Sequence, residues 1–287
     1  MTKQPDPRKR RSKAAALRSY FRTPKGFVLI ILSLLVLIDA AYTADSRVIV
    51  HAVVAVCTAI VIDGAIARFW RRSRRFPDGG VITGLIVAGV LSSTAAYGIV
   101  ITATAAAIVS KHVLHMGRKP IFNPAAVGLL VAIYVFHVGE SWLADLSLLP
   151  VWGIALLGVA GYLVTYRVNK FPQVFAFFAV YFIFFGLEGA FHVSLAADAF
   201  RNPIINSAMF LAFFMMTDPP TSPGRYSQQV LFGAIAAIVS SLVYLTFDGL
   251  SYLLIGLLFA NAWKAWVTRQ SRADGRSSQS HSQRPAT

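Results

Sequence analysis

The segment SKHVLHMGRKPIFNPAAVGLL, Ser110 to Leu130, passes without a spacer from a basic loop into a hydrophobic run that opens Phe122-Asn123-Pro124-Ala125-Ala126. A loop carrying Lys111, Arg118 and Lys119 and no acid is of the kind kept on the cytoplasmic side of a membrane. Asn123-Pro124 reads as a helix start, with an amide at the N-cap and proline at the first helical position. Such a start turns free N–H groups and the positive end of the helix dipole toward an electron-rich ligand. Asparagine carries both a donor and an acceptor, which suits the edge of a heteroaromatic ring. Further on, in MMTDPPTSP, Met215 to Pro223, a second apolar run stops on Asp218 and three prolines. An acid at a membrane boundary is a functional candidate because its burial is costly. The two places are expected to face one another.

The rest of the composition agrees with a membrane setting. Of 287 residues, 56% are hydrophobic and 14% charged, too apolar for an ordinary soluble domain. The net charge of +15 does not point to nucleic acid, because the basic residues punctuate apolar runs instead of covering a soluble face. Cys57 is the only cysteine, so a disulfide and a thiolate metal site are excluded. Residues 1–26 read as a basic cytoplasmic tail, and the polar stretch 269–287 as a disordered one.

A hydrocarbon core takes roughly 20 helical residues, and by that ruler ten segments follow: 27–44, 48–69, 81–93, 96–114 and 123–138, then 151–166, 174–187, 204–216, 230–245 and 250–266. The predicted fold class is an all-α polytopic membrane protein. Ten spans starting inside leave only Arg47 and Arg201, of the 27 Lys and Arg residues, on the outer side, with Glu140, Asp145, Glu188, Asp198 and Asp248. Both termini are then cytoplasmic, in the cytoplasmic membrane. The transmembrane domain, 27–268, divides into halves 27–140 and 150–268, and two sets of five must run in opposite senses, as inverted repeats. The third and eighth segments are too short to span, which points to a site at mid-depth where protein satisfies their ends.

Other residues have plainer readings beside the functional ones. Asp218 is expected to find Lys111 or Arg225 as a partner, Asp63 to pair with Arg68, and Asp78 to cap the short third helix. His112 and His115 share a helical spacing but have no third ligand, so no metal site is assigned. Phe175, Phe177, Phe178, Tyr181, Phe182, Phe184 and Phe185 make the seventh segment a packing or lipid-facing surface, with the wall of a flat cofactor as a lesser reading.

At these residues the chain resembles the membrane-subunit family that includes RnfD of Rnf electron-transport complexes and NqrB of the sodium-translocating NADH:quinone reductase. The matching stretches are Asp78-Gly79 with Thr83-Gly84-Leu85, Ser110-Lys111, Phe122-Asn123-Pro124-Ala125-Ala126, Met216-Thr217-Asp218-Pro219 and Phe259-Ala260-Asn261. The resemblance implies two inverted five-helix halves with a flavin between them and electron transfer across the membrane. It places Asn123 and Asp218 at a non-covalent riboflavin or FMN site, with Thr217, Lys111, Thr83 and Asn261 at further motif positions. The chain departs from the family in two ways. No S-G-A-T segment follows the Asn-Pro helix, so covalent FMN is not expected, and Pro120 stands where the family has a second asparagine.

The expected function is an electron-transport subunit that relays electrons within or across the membrane, with cation transport as a linked activity. Its partners would be membrane lipid and a redox subunit or quinone, since one flavin does not bridge about 30 Å of hydrocarbon. The competing readings are a solute or cation transporter of the same fold and a membrane scaffold for a partner enzyme.

Overall fold

A computed structural model describes residues 18–70, 78–143, 151–191, 202–246 and 249–282. Glu188 and Glu140 fall within these, while Asp145, Asp198, Arg201 and Asp248 lie outside the described residues, as do 1–17 and 283–287. The chain is an all-α polytopic membrane protein. Its helices are α1 (Pro24–Thr43), α2 (Ser46–Phe69), α3 (Asp78–Val90), α4 (Tyr97–Val113) and α5 (Pro124–Phe136). They continue with α6 (Val151–Val168), α7 (Phe171–Ala190), α8 (Asn202–Phe210), α9 (Tyr226–Tyr244) and α10 (Ser251–Ser282). A π-helical turn, Leu211–Met215, extends α8, and a two-residue hairpin, His115–Met116 with Lys119–Pro120, joins α4 to α5.

Local chemistry sets the helix starts. The Thr23 hydroxyl accepts from the Gly26 N–H at 3.1 Å ahead of Pro24, and the Asp45 carboxylate accepts from the Arg47 N–H at 2.9 Å to begin α2. Four helices, α1, α2, α7 and α9, are long and apolar enough to cross a membrane, and α3, α4, α5, α6 and the α8 unit are shorter apolar helices. Leu37, Val61, Val159, Ile183 and Leu242 project outward as a lipid-facing surface. On α7 the aromatic residues divide by helical spacing. Phe177, Tyr181 and Phe185, four apart, are buried, whereas Phe175 and Phe182 are exposed.

The second five helices repeat the pairing of the first. α4 packs on α5 as α9 packs on α10, α2 on α4 as α7 on α9, and α1 on α3 as α6 on α8. The two sets meet through α1 with α6 and α5 with α10. Close approach at equivalent seams depends on glycine. A Cβ on Gly128 would overlap the Ala103 carbonyl oxygen of α4, and one on Gly256 would overlap Ser240 Oγ of α9. In lipid, such contact between backbones replaces the hydrophobic drive as the source of helix association.

The short third helix is completed by chain from elsewhere. Beyond α5 the backbone folds back, and the N–H groups of Trp142 and Leu143 donate to the carbonyls of Val90 and Gly89 at 3.2 and 2.6 Å. Orphan carbonyls at the α3 C-terminus are thereby satisfied away from water. Asn206 of α8 donates to the carbonyls of Trp142 and Leu143, so both short helices share this segment. At the other end of the chain the structure differs from the expected disordered tail. The backbone of α10 stays helical to Ser282, since extending a helix already anchored by packing adds a hydrogen bond per residue without a new nucleus.

Candidate functional site

The N-terminus of α3, the C-terminus of α4, the hairpin, the N-terminus of α5 and the turn after the π segment converge at one end of the bundle. They enclose a cavity of about 230 Å³. Thr83, Lys111, Asn123, Thr217 and Asp218 all line it. The two stretches singled out in the sequence therefore do face one another. Asn261 is not on the wall and stands behind it as a strut: its Oδ1 accepts from the Asn123 backbone N–H at 2.8 Å, and its Nδ2 donates to the Thr221 carbonyl at 3.2 Å.

Asn123 is buried and is the N-cap of α5. Its Oδ1 accepts from the Ala126 N–H at 3.2 Å, and its Nδ2 donates to the Met215 carbonyl at 2.9 Å. A side-chain amide has two donor hydrogens and two lone pairs. One of each thus remains on a residue that lines the cavity. The Ala125 N–H, second in the helix, has no intrahelical acceptor, and Ala125 also lines the wall.

The turn from Met215 to Pro223 presents carbonyls where its prolines break the helical ladder. Five side chains from outside the turn take them up. Asn123 serves Met215, Gln173 Nε2 donates to Met216 at 2.8 Å, Lys264 Nζ to Pro220 at 2.9 Å, Asn261 to Thr221, and Lys170 Nζ to Pro223. Gln173, Lys170 and Lys264 were not singled out from the sequence. The proline-rich turn announces carbonyls in need of donors, but nothing in the spacing says which helices supply them. Burial and the neighbouring charge of Lys264 push the Lys170 ammonium down to about 8.

Several pairings differ from those expected. Asp63 does not pair with Arg68, five residues on and turned well away around α2. Its carboxylate instead accepts from Lys111 Nζ at 3.2 Å and lies 2.6 Å from His112 Nε2, because α4 packs directly against α2. Lys111 is therefore held by Asp63, and the exposed Arg225 forms no ion pair with Asp218. Asp218 accepts instead from the Thr221 hydroxyl at 2.9 Å. Burial raises its carboxyl above the usual range, opposed by that hydrogen bond and by the charges of Lys25, Lys264 and Lys111. Asp78 does accept from the Gly79 N–H, at 2.7 Å, and also pairs with Lys25 at 3.0 Å on the cavity rim. The Thr83 hydroxyl donates within α3, to the Gly79 carbonyl, and the Thr217 hydroxyl donates back to the Phe213 carbonyl of the π turn.

Four cations, Lys25, Lys111, Arg118 and Lys119, and two acids, Asp78 and Asp218, line the cavity, which favours a ligand that carries or acquires negative charge. Val28, Ile82, Ile86 and Phe214 add apolar walls. Apolar faces beside the free donor and acceptor of Asn123 fit the flat body and polar edge of a heteroaromatic ring such as a flavin. The π turn immediately before Thr217 shifts the helical register here, as such turns often do at functional sites.

Fold and cavity together define a polytopic membrane protein with a polar site enclosed at one end of its bundle. Residues 13–148, just under half of the chain, match the model of the NQR2, RnfD, RnfE family. The match includes Thr83, Lys111 and Asn123 and stops before Thr217, Asp218 and Asn261. No curated protein matches the chain.

Proposed function

We propose that the protein is an electron-transport subunit of the membrane that holds a non-covalent flavin, riboflavin or FMN, in the cavity between Asn123 and Asp218. The observation that carries this reading is that five motif residues, spread from Thr83 to Asp218, line one cavity. When bound, the flavin would supply reversible one- and two-electron chemistry.

The chain's own residues bind, orient and tune. Asn123 offers its remaining N–H and lone pair to the polar edge of the ring, while the first turn of α5 and Lys111 favour negative charge there. Asp63 fixes Lys111 in place. Asp218, raised by burial, takes up or releases a proton at its carboxylate as the charge beside it changes. Electrons would come from a cytoplasmic donor and leave to a quinone or a partner subunit, with the basic end of the bundle facing the cytoplasm.

Asn123→Ala and Asp218→Asn in the purified protein, with flavin content measured after acid release, test the assignment. Loss of flavin from the folded Asn123→Ala variant is expected. Unchanged content would remove Asn123 from the site, and solute flux into liposomes without any reductant would move the reading to a transporter.

A further inference from the structure

A second cavity, of about 190 Å³, lies beside the first, and the two share Lys119 and Pro120 on their walls. Its lining comes from the hairpin and Ile121, from Ser222 and Gly224 in the proline-rich turn, and from α10 at Lys264, Thr268 and Arg272. Three cations, Lys119, Lys264 and Arg272, border it, and no acid does among the described residues. Lys170 lies close enough to Lys119 and Lys264 for their charges to depress its ammonium. The described acid within reach of this group is Asp218, whose carboxylate already accepts from Thr221.

Like charges gathered around a cavity repel one another, and a fold keeps such an arrangement at a cost unless an anion offsets it. Lys264 is also pre-positioned. One of its three N–H groups is fixed on the Pro220 carbonyl, which leaves two to serve a ligand. Lys264 and Arg272 lie eight residues apart on one helix, about two turns and 12 Å of rise, while Lys119 approaches from the hairpin. An ammonium on one wall and a guanidinium fork on another suit a tetrahedral oxyanion that accepts from several sides at once.

We propose that this cavity binds a phosphate group, as the dianion of a phosphate monoester. A soluble phosphate and the headgroup of a phosphatidate lipid share that chemistry. The proposal does not depend on flavin in the neighbouring cavity.

The full chain is placed in phosphatidylcholine nanodiscs, and inorganic phosphate binding is measured by calorimetry. In a second arm, nanodiscs containing phosphatidate are used, and lipid retention is read by native mass spectrometry after detergent extraction. Saturable binding of one phosphate per chain, or retention of one phosphatidate, is expected, with the arm that responds naming the source. Lys264→Gln should weaken it at least tenfold. Because Lys264 also supports the Pro220 turn, Arg272→Gln is the companion variant: Arg272 is exposed, its loss leaves the fold intact, and a similar weakening is expected. Arg269→Gln removes the same charge from an exposed position on α10 that does not line the cavity, and should change nothing. Absence of binding in both arms, or equal weakening by Arg269→Gln and Arg272→Gln, would overturn the proposal.

Discussion

Replacing Asn123 by alanine should destabilise the protein by about 1.5–2.5 kcal/mol, even with nothing bound. The change removes the N-cap bond to the Ala126 N–H, which contributes roughly 1 kcal/mol. It also removes the shorter of two bonds to the buried Met215 carbonyl, which keeps only the Asp218 N–H at 3.4 Å; such a loss costs about 0.5–1.5 kcal/mol. The bond from the Asn123 backbone N–H to Asn261 is kept, since it needs no side chain at 123. Equilibrium unfolding in mixed micelles by SDS titration, followed by tryptophan fluorescence, gives the difference directly. Asn261→Ala, which deprives both the Asn123 N–H and the Thr221 carbonyl of a partner, should cost a comparable amount. If Asn123→Ala stays within about 0.5 kcal/mol of the parent, the ordinary range of a surface change, the amide does not join α5 to the π turn and the reasoning fails.

Three further outcomes follow from the structure. Gly128→Ala should lower stability by about 1–3 kcal/mol or prevent folding, since its Cβ overlaps the Ala103 carbonyl oxygen; yield and unfolding midpoint measure this. Glu140, between α5 and the returning segment, accepts from Trp142 Nε1 at 2.7 Å, and burial raises its carboxyl from 4.5 to about 7. Because the folded value is the higher one, its stabilising contribution is complete below about pH 4.5 and is lost as pH rises through 7. Thermal midpoints at pH 5 and 8 should therefore differ in that direction, and Glu140→Gln should flatten the difference. Asp63→Asn should release Lys111 and weaken flavin retention with a smaller effect on the thermal midpoint, as read from flavin content and melting of the same preparation.

Among the described residues, apolar run length alone located nine of the helices and the start of α10 to within about four residues, because a membrane leaves the backbone little choice but helix; the polar extension of α10 to Ser282 carries no such signal. The shortness of the third and eighth segments was equally visible. What completes them was not. The return of Trp142 and Leu143 onto α3 involves a stretch with no periodicity of its own, and the π turn at Leu211–Met215 leaves no mark in composition. Within the site, Asn123 and Asp218 stood out by residue type and position at helix ends. Asn261 was marked by the family resemblance alone, and the other donors to the turn were not marked at all, because Gln173, Lys170 and Lys264 reach it through tertiary packing across large sequence separations. Asp63 makes the same point. Its nearest cation along the chain is Arg68, yet the packing of α4 on α2 supplies Lys111 and His112 instead.

The measurement that bears most directly on the central claim is the visible absorbance spectrum of the detergent-purified protein, followed by acid release and identification of the chromophore. The account predicts a flavin spectrum, close to one flavin per chain released by acid, and its loss from folded Asn123→Ala protein. A colourless protein that takes up neither riboflavin nor FMN when these are added would contradict it.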